Sequence, residues 1–179
     1  MKKKLREEAL VKRNGIPAEE RAEKSRKAAE YILQSDAFQK AKQIFTFVSM
    51  GSEIETGKIM EAAWKEGKIV AVPKTEKRRV MYFIPIDSFD DLQEGRFGVM
   101  EPKGTAEDAI VTAIDDLFHV PGALFDRKKN RIGYGGGFYG RFLEKEPNHP
   151  TVALCYDFQV FPELQTQEHD IPVDLVLWA

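Results

Sequence analysis

The spacing of hydrophobic and polar positions changes several times along this chain, and each change marks an element. "KKKLREEALVKRN" runs into Gly15 and is predicted as a helix that stops there. "PAEERAEKSRKAAEYILQS" opens on Pro17, a residue suited to a first helical turn, and its spacing puts Ala22, Ala29, Ile32 and Leu33 on one buried face. After Asp36 the pattern shortens, and the β-branched and aromatic run "QIFTFVSM" reads as a strand. "TGKIMEAAWKEG" returns to helical spacing, with Thr56 as a candidate cap and Gly67 as its end. "KIVAVPK" and "RVMYFIPI" follow as strands, and "LFHVPGALF" is an apolar run broken at Pro121-Gly122. A short helix is expected from Phe138 to Lys145, then late strands at "TVALCYD" and "DLVLWA". Near-continuous apolar strands alternating with helices imply an α/β fold, a mainly parallel sheet covered by helices on both faces. No repeat, linker or low-complexity segment interrupts the pattern, so residues 1–179 read as a single domain.

Composition narrows the function classes. The chain is 42% hydrophobic and 31% charged, with a net charge of −2, so no global field draws it to nucleic acid or to a membrane surface. Its apolar runs are strand-length and too short to span a bilayer. The single cysteine, Cys155 in "TVALCYDF", reads as a small buried residue and leaves no intrachain disulfide to form. A cytoplasmic monomer acting on a small molecule is the expectation.

The candidate chemistry is concentrated in "RIGYGGGFYGRFL". Gly135, Gly136 and Gly137 allow positive φ and close approach of a ligand to the backbone. Successive N–H groups in such a turn form an anion nest, and a helix starting at Phe138 would add its free amides and dipole. Between Asp126 and Arg141 the cations Arg127, Lys128, Lys129, Arg131 and Arg141 face one carboxylate. This points to a polyphosphate site with Arg131 as a candidate grip; a flexible basic turn is the plainer alternative. No Walker loop is present. Gly135, Gly137 and Gly140 match G-x-G-x-x-G with Asp157 downstream, but the charged "DRKKNRIGY" before them is no buried strand, which argues against a dinucleotide fold. Elsewhere, "KKKLR" places cations at a helix start, where they oppose the dipole. "VSMGSEIET" lies where a strand runs out into a helix, with Glu55 placed to meet a polar substrate group. His169, Asp170 and Asp174 in "EHDIPVDLV" are spaced too loosely for a metal signature and read first as a turn.

Together, "KKKLR", "VSMGSEIET", "EGKIVAVPK", "VPGALFD", "RIGYGGGFYGRFL" and "HDIPVD" resemble, in order and along the whole chain, the 5-formyltetrahydrofolate cyclo-ligase family. The glycine stretch is the most specific part, close to the family pattern R-L-G-Y-G-G-G-Y-Y-D-R. The resemblance implies a fold like the ribose-phosphate isomerases and CoA transferases. It also implies an ATP- and Mg²⁺-dependent closure of 5-formyltetrahydrofolate to 5,10-methenyltetrahydrofolate, through a phosphorylated formyl oxygen. Carried over, Lys2, Lys3, Lys4, Leu5 and Arg6 would contact ATP, as would Arg131, Ile132, Gly133, Tyr134, Gly135, Gly136, Gly137, Phe138 and Tyr139. Met50 and Glu55 would bind the folate, with Tyr134 to Phe138 bordering it, and Asp174 would be a Mg²⁺-linked carboxylate. Phe138 stands where the family has Tyr, and Gly140 where it has a second Mg²⁺-linked Asp. A relative that holds folate or ATP without turnover is the alternative that this departure leaves.

Overall fold

Helix α1 (Lys2–Asn14) forms where expected, and Gly15 ends it in right-handed geometry rather than a left-handed cap. The computed structural model describes residues 1–179. Pro17 sits just ahead of α2 (Ala18–Leu33), whose buried stripe is Ser25, Ala28, Ala29 and Ile32. That i, i+3, i+4, i+7 pattern excludes Ala22, which is exposed, so the expected face is rotated by part of a turn. A short α3 (Asp36–Lys40) was not anticipated; Ser35 Oγ caps it by accepting from the Phe38 amide, and it plugs Phe38 into the core.

Strand β1 (Gln43–Phe45) is shorter than its apolar run. The chain beyond it is held by Thr56, whose hydroxyl donates to the Phe47 carbonyl (2.6 Å) and accepts from the Ser49 amide (3.1 Å). Thr56 therefore clasps this loop and does not cap α4 (Gly57–Lys65) through its side chain. Gly67, left-handed at φ +74°, turns the chain into β2 (Ile69–Glu76), which pairs antiparallel with β3 (Val80–Ile86). A small hairpin of β4 (Leu92–Glu94) and β5 (Met100–Pro102) follows. Pro121-Gly122 splits β6 (Leu117–His119) from β7 (Leu124–Asp126), and β8 (Arg131–Ile132) leads to the glycine loop. Helix α5 spans Phe138–Lys145, as expected, and β9 (Thr151–Cys155), β10 (Val160–Phe161) and β11 (Leu175–Trp178) complete the chain.

The main sheet has the order β11-β9-β6-β1-β2-β3, parallel except for the edge strand β3. On one face α2 and α4 bury Ala28, Ile32, Ile59 and Met60 against Ile44, Val70 and Leu117. On the other, Leu143 of α5 packs with Phe45, Phe83 and Phe118. Helix α1 stands apart from this sheet. Its Leu5 and Ala9 pack on Leu124 and Ile132 of the small sheet β10-β7-β8. Cys155 is buried, and burial pushes its thiol well above the ordinary range, so it serves as a core residue.

Candidate active site

The parallel strands all end at one edge of the sheet, and the 46–56 loop, the Pro121-Gly122 break and the glycine loop gather there. Open α/β sheets bind ligands in the crevice at this edge, because the connections leave it and the backbone groups beyond the last rungs are free.

Three arginines from three elements converge on the glycine loop. A Cβ added to Gly133 would stand 2.9 Å from the Arg131 guanidinium, one on Gly135 3.0 Å from that of Arg6, and one on Gly137 3.4 Å from that of Arg79. The glycines thus let guanidinium groups lie directly against the main chain. Left-handed geometry is needed at Gly135 (φ +101°) and Gly137 (φ +74°). It is not needed at Gly136, where the constraint is the Phe138 ring, 3.0 Å from an added Cβ. Gly137 is the residue before α5, and no side chain caps the helix or puts a carboxylate in its first turn. Positive charge, free amides and the helix dipole therefore coincide. The Nε atoms of Arg6 and Arg131 are buried without a partner, as donors that an anion would satisfy. Arg131 also has a structural tie. It is half-buried, donates to the Pro121 carbonyl (2.9 Å), and so also ties β8 to the chain break after β6.

Beside the loop stands a polar chain the sequence had not suggested. Arg13, buried in the last turn of α1, donates to Ser52 Oγ (3.0 Å) and to the Tyr134 hydroxyl (2.6 Å). Tyr134 donates in turn to Glu53 Oε1 (3.0 Å), while Glu53 Oε2 accepts from the Met50 amide (2.7 Å). Burial pushes the Glu53 carboxyl up, against the pull of the Met50 amide, Arg13 and Tyr134. Burial likewise pushes the Tyr134 and Tyr139 phenols well up, so both stay neutral donors, and the Tyr139 hydroxyl is buried without a partner. A raised carboxyl among neutral donors is a setting for holding a polar heterocycle.

The residues expected from sequence divide accordingly. Tyr134 to Tyr139, Arg131 and Arg6 meet at this edge, Arg6 also donating to the Tyr134 carbonyl (3.4 Å). Lys2 reaches Asp170 at 2.5 Å, Leu5 packs into the small core, Lys3 faces solvent, and Lys4 lies 3.8 Å from Glu8. Met50 is exposed and meets the site through its amide. Glu55 lies 3.6 Å from Arg21 of α2, so Glu53, two residues earlier, is the carboxylate facing the loop. Asp174 departs from its expected role. It precedes β11 and accepts from the Thr151 amide (2.8 Å), at the start of β9 and hence at the opposite edge of the sheet. Helix α5, about 12 Å long, runs between that edge and the glycine loop. Asp170, tied to Lys2 and close enough to act on the charge of Arg131, is the carboxylate of "HDIPVD" on the site's side. Gly140 has no left-handed strain and open space around its α-carbon. No group of three or more His, Cys, Asp or Glu is placed to hold a metal ion by itself.

An open, mainly parallel sheet with a guanidinium-lined glycine loop at its strand ends, and a buried carboxyl beside it, makes this an α/β protein with an anion-binding edge. The chain belongs to the 5-formyltetrahydrofolate cyclo-ligase family, whose profile matches residues 1–179, and it is accordingly a ligase of folate metabolism. It is 30% identical to the 5-formyltetrahydrofolate cyclo-ligase of Mus musculus, over 99% of this chain and 93% of that protein. To the Haemophilus influenzae cyclo-ligase it is 27% identical, over 96% and 94% of the two chains. The solution structure of Aquifex aeolicus 5,10-methenyltetrahydrofolate synthetase superimposes with a TM-score of 0.81 at 31% identity, covering 98% of this chain and 88% of that one. No helix is long and apolar enough to cross a membrane.

Proposed function

We propose that this chain closes 5-formyltetrahydrofolate to 5,10-methenyltetrahydrofolate with ATP, using the glycine loop for the phosphates and the Glu53–Tyr134–Arg13 chain beside it for the folate. The convergence of Arg6, Arg79 and Arg131 on Gly135, Gly137 and Gly133 carries this reading, because three guanidinium groups beside the free α5 amides suit a polyanion. A formamide oxygen is a poor leaving group. Transfer of the γ-phosphoryl group turns it into a phosphate, the second folate nitrogen attacks the formyl carbon, and phosphate leaves. The protein's part is to align donor and acceptor and to stabilise the charge on the transferring group. Glu53, as an acceptor for ring N–H groups, fixes the pterin, and Tyr134 and Phe138 border it. Mg²⁺ neutralises phosphate charge when bound. It takes one or two protein carboxylates and several waters in such sites, which fits a single carboxylate, Asp170, next to ATP, and does not fit Asp174. The protein acts as a cytoplasmic monomer in this reading. The test is spectroscopic: purified protein, 5-formyltetrahydrofolate, ATP and Mg²⁺ form methenyl-folate with equal ADP release. Product without ATP, or ATP loss without product, rejects it.

A further inference from the structure

Segment 110–112 widens the main sheet beyond its edge strand. The Ile110 amide donates to the Phe83 carbonyl of β3 (2.9 Å), and Gln43 Nε2 donates to the Val111 carbonyl (3.3 Å). Gln43 opens β1, so this segment reaches the edge of the sheet opposite the glycine loop. A groove of about 320 Å³ lies between it, β3 and the end of α5. Three phenyl rings line it: Phe83 stands 5.2 Å from Phe45 and 4.9 Å from Phe142. Its charge is of one sign. Glu146 lines it, and no lysine, arginine or histidine does. The basic tip of the β2–β3 hairpin, Lys77–Arg79, is not part of its lining. Glu146 is the residue after α5, where the negative end of the helix dipole falls. Its Oε2 accepts from Thr112 Oγ1 (3.1 Å) and stands 3.4 Å from His149 Nε2, whereas Oε1 has no partner. His149 packs against the Phe118 ring and stays out of the groove. Val111, at the rim, is 82% exposed.

We propose that this groove is a second ligand site, for a small arylalkylamine whose ring lies on the phenyl surface and whose ammonium meets Glu146 Oε1. The proposal goes beyond the folate reading and does not rest on it. Three features select the ligand class. Phenyl rings set edge-on and tilted to one another take a flat aromatic body between them. One carboxylate oxygen left free beside a helix C-terminus takes a single cation, and a lining without any base gives an acid nothing to pair with. The volume stands at the lower end of ligand pockets, which suits a molecule of one or two rings. Helix α5 separates this site from the glycine loop by its own length, about 12 Å, so the amine and a nucleotide can be held together.

The experiment titrates the isotope-labelled full-length protein with tryptamine and follows its amide resonances. Indole-3-propionate, the same ring with the opposite charge, is the control. Tryptamine should shift the amides of Ile110 to Thr112 and of Phe142 to Glu146 and leave those of Gly135 to Gly137 in place, with a Kd on the order of 1 mM for a ligand of this size. Indole-3-propionate should bind about tenfold more weakly, or not at all. Glu146→Gln keeps the acceptor for Thr112 and removes the charge, so it should weaken tryptamine about three- to tenfold and leave indole-3-propionate unweakened. Val111→Arg, at a solvent-facing position, tests the same point without touching the carboxylate: tryptamine should weaken and indole-3-propionate should gain. Saturating ATP should change the tryptamine affinity less than about twofold, because the sites lie at opposite ends of α5. No shifts at about ten times the expected Kd overturns the site. So do equal affinities for the two indoles, a wild-type response in both variants, or shifts confined to the glycine loop and abolished by ATP.

Discussion

Replacing Arg13 by Met keeps the length of the side chain and its packing but removes its donors. In the native protein Arg13 is only 7% exposed and its guanidinium makes two hydrogen bonds, to Ser52 Oγ at 3.0 Å and to the Tyr134 hydroxyl at 2.6 Å. Each bond to a charged group contributes about 1.5–3 kcal/mol on removal, and the relief of one buried charge offsets part of the sum. The net expectation for Arg13→Met is a loss of about 2–4 kcal/mol. Tyr134 keeps Glu53 as a partner, so the loss falls mainly on the junction between α1 and the 46–56 loop. For a chain of this length each kcal/mol moves Tm by about 2–4 °C, so the variant should melt roughly 4–16 °C lower. A double-mutant cycle with Tyr134→Phe, followed by urea unfolding, separates the pair from the helix as a whole. The coupling should exceed about 1 kcal/mol, because the two groups are in direct contact. Additive single-variant effects would refute the claim that the Arg13–Tyr134 bond couples the helix to the glycine loop.

Three other outcomes are expected. Gly137→Val forces a β-branched residue into left-handed backbone, at a cost of at least about 1–2 kcal/mol, and crowds Arg79, so ATP affinity measured by calorimetry should collapse while the fold survives. Gly140→Asp has open space and no backbone strain, so it should fold normally and lower the Mg²⁺ needed for half-maximal activity several-fold; an unchanged Mg²⁺ titration means position 140 does not sense the metal. Asp170 is also a pH probe. Burial opposes its charge, but Lys2 and the Gln167 amide outweigh this and hold its carboxyl below the ordinary value, so it adds stability above an unfolded pKa of about 4 and loses it as pH falls through the lower folded value. Asp170→Asn should therefore melt lower than wild type at pH 7, with the gap closing as pH falls through the lowered folded value; a constant gap would show that Asp170 titrates alike in both states.

The boundaries of α5 and most strands were legible because they are set locally, by apolar runs and by the Gly-Gly-Gly break before Phe138. The glycine loop was legible for the same reason: its composition is unusual wherever it folds. The rest of the site is not local. Arg13 is one of 27 cations, and only its burial, which depends on a loop that begins more than thirty residues later, sets it apart. Glu53 and Glu55 look equivalent in "SEIET", and which one faces the loop depends on how Thr56 clasps the chain at Phe47. Asp170 and Asp174 are four residues apart, yet the entry into β11 sends them to different edges of the sheet. Charge count could not foresee that the hairpin tip would reach Gly137, since this depends on β2 and β3 pairing well past the end of β1.

Helix α1 makes its defining contacts with residues far down the chain. Lys2 meets Asp170 across 168 positions, and Arg6 and Arg13 meet Tyr134 across 128 and 121. The surface this helix packs on, Leu124 and Ile132, lies far later in the chain than the helix itself. Until Leu124 to Tyr134 have been made, its apolar stripe and its buried arginine lack most of their native partners, and long-range closure of this kind is slow. Docking of α1, which sets Arg6 against Tyr134 and Gly135, is therefore a long-range step of folding, and the proposed phosphate site is complete only once it has occurred.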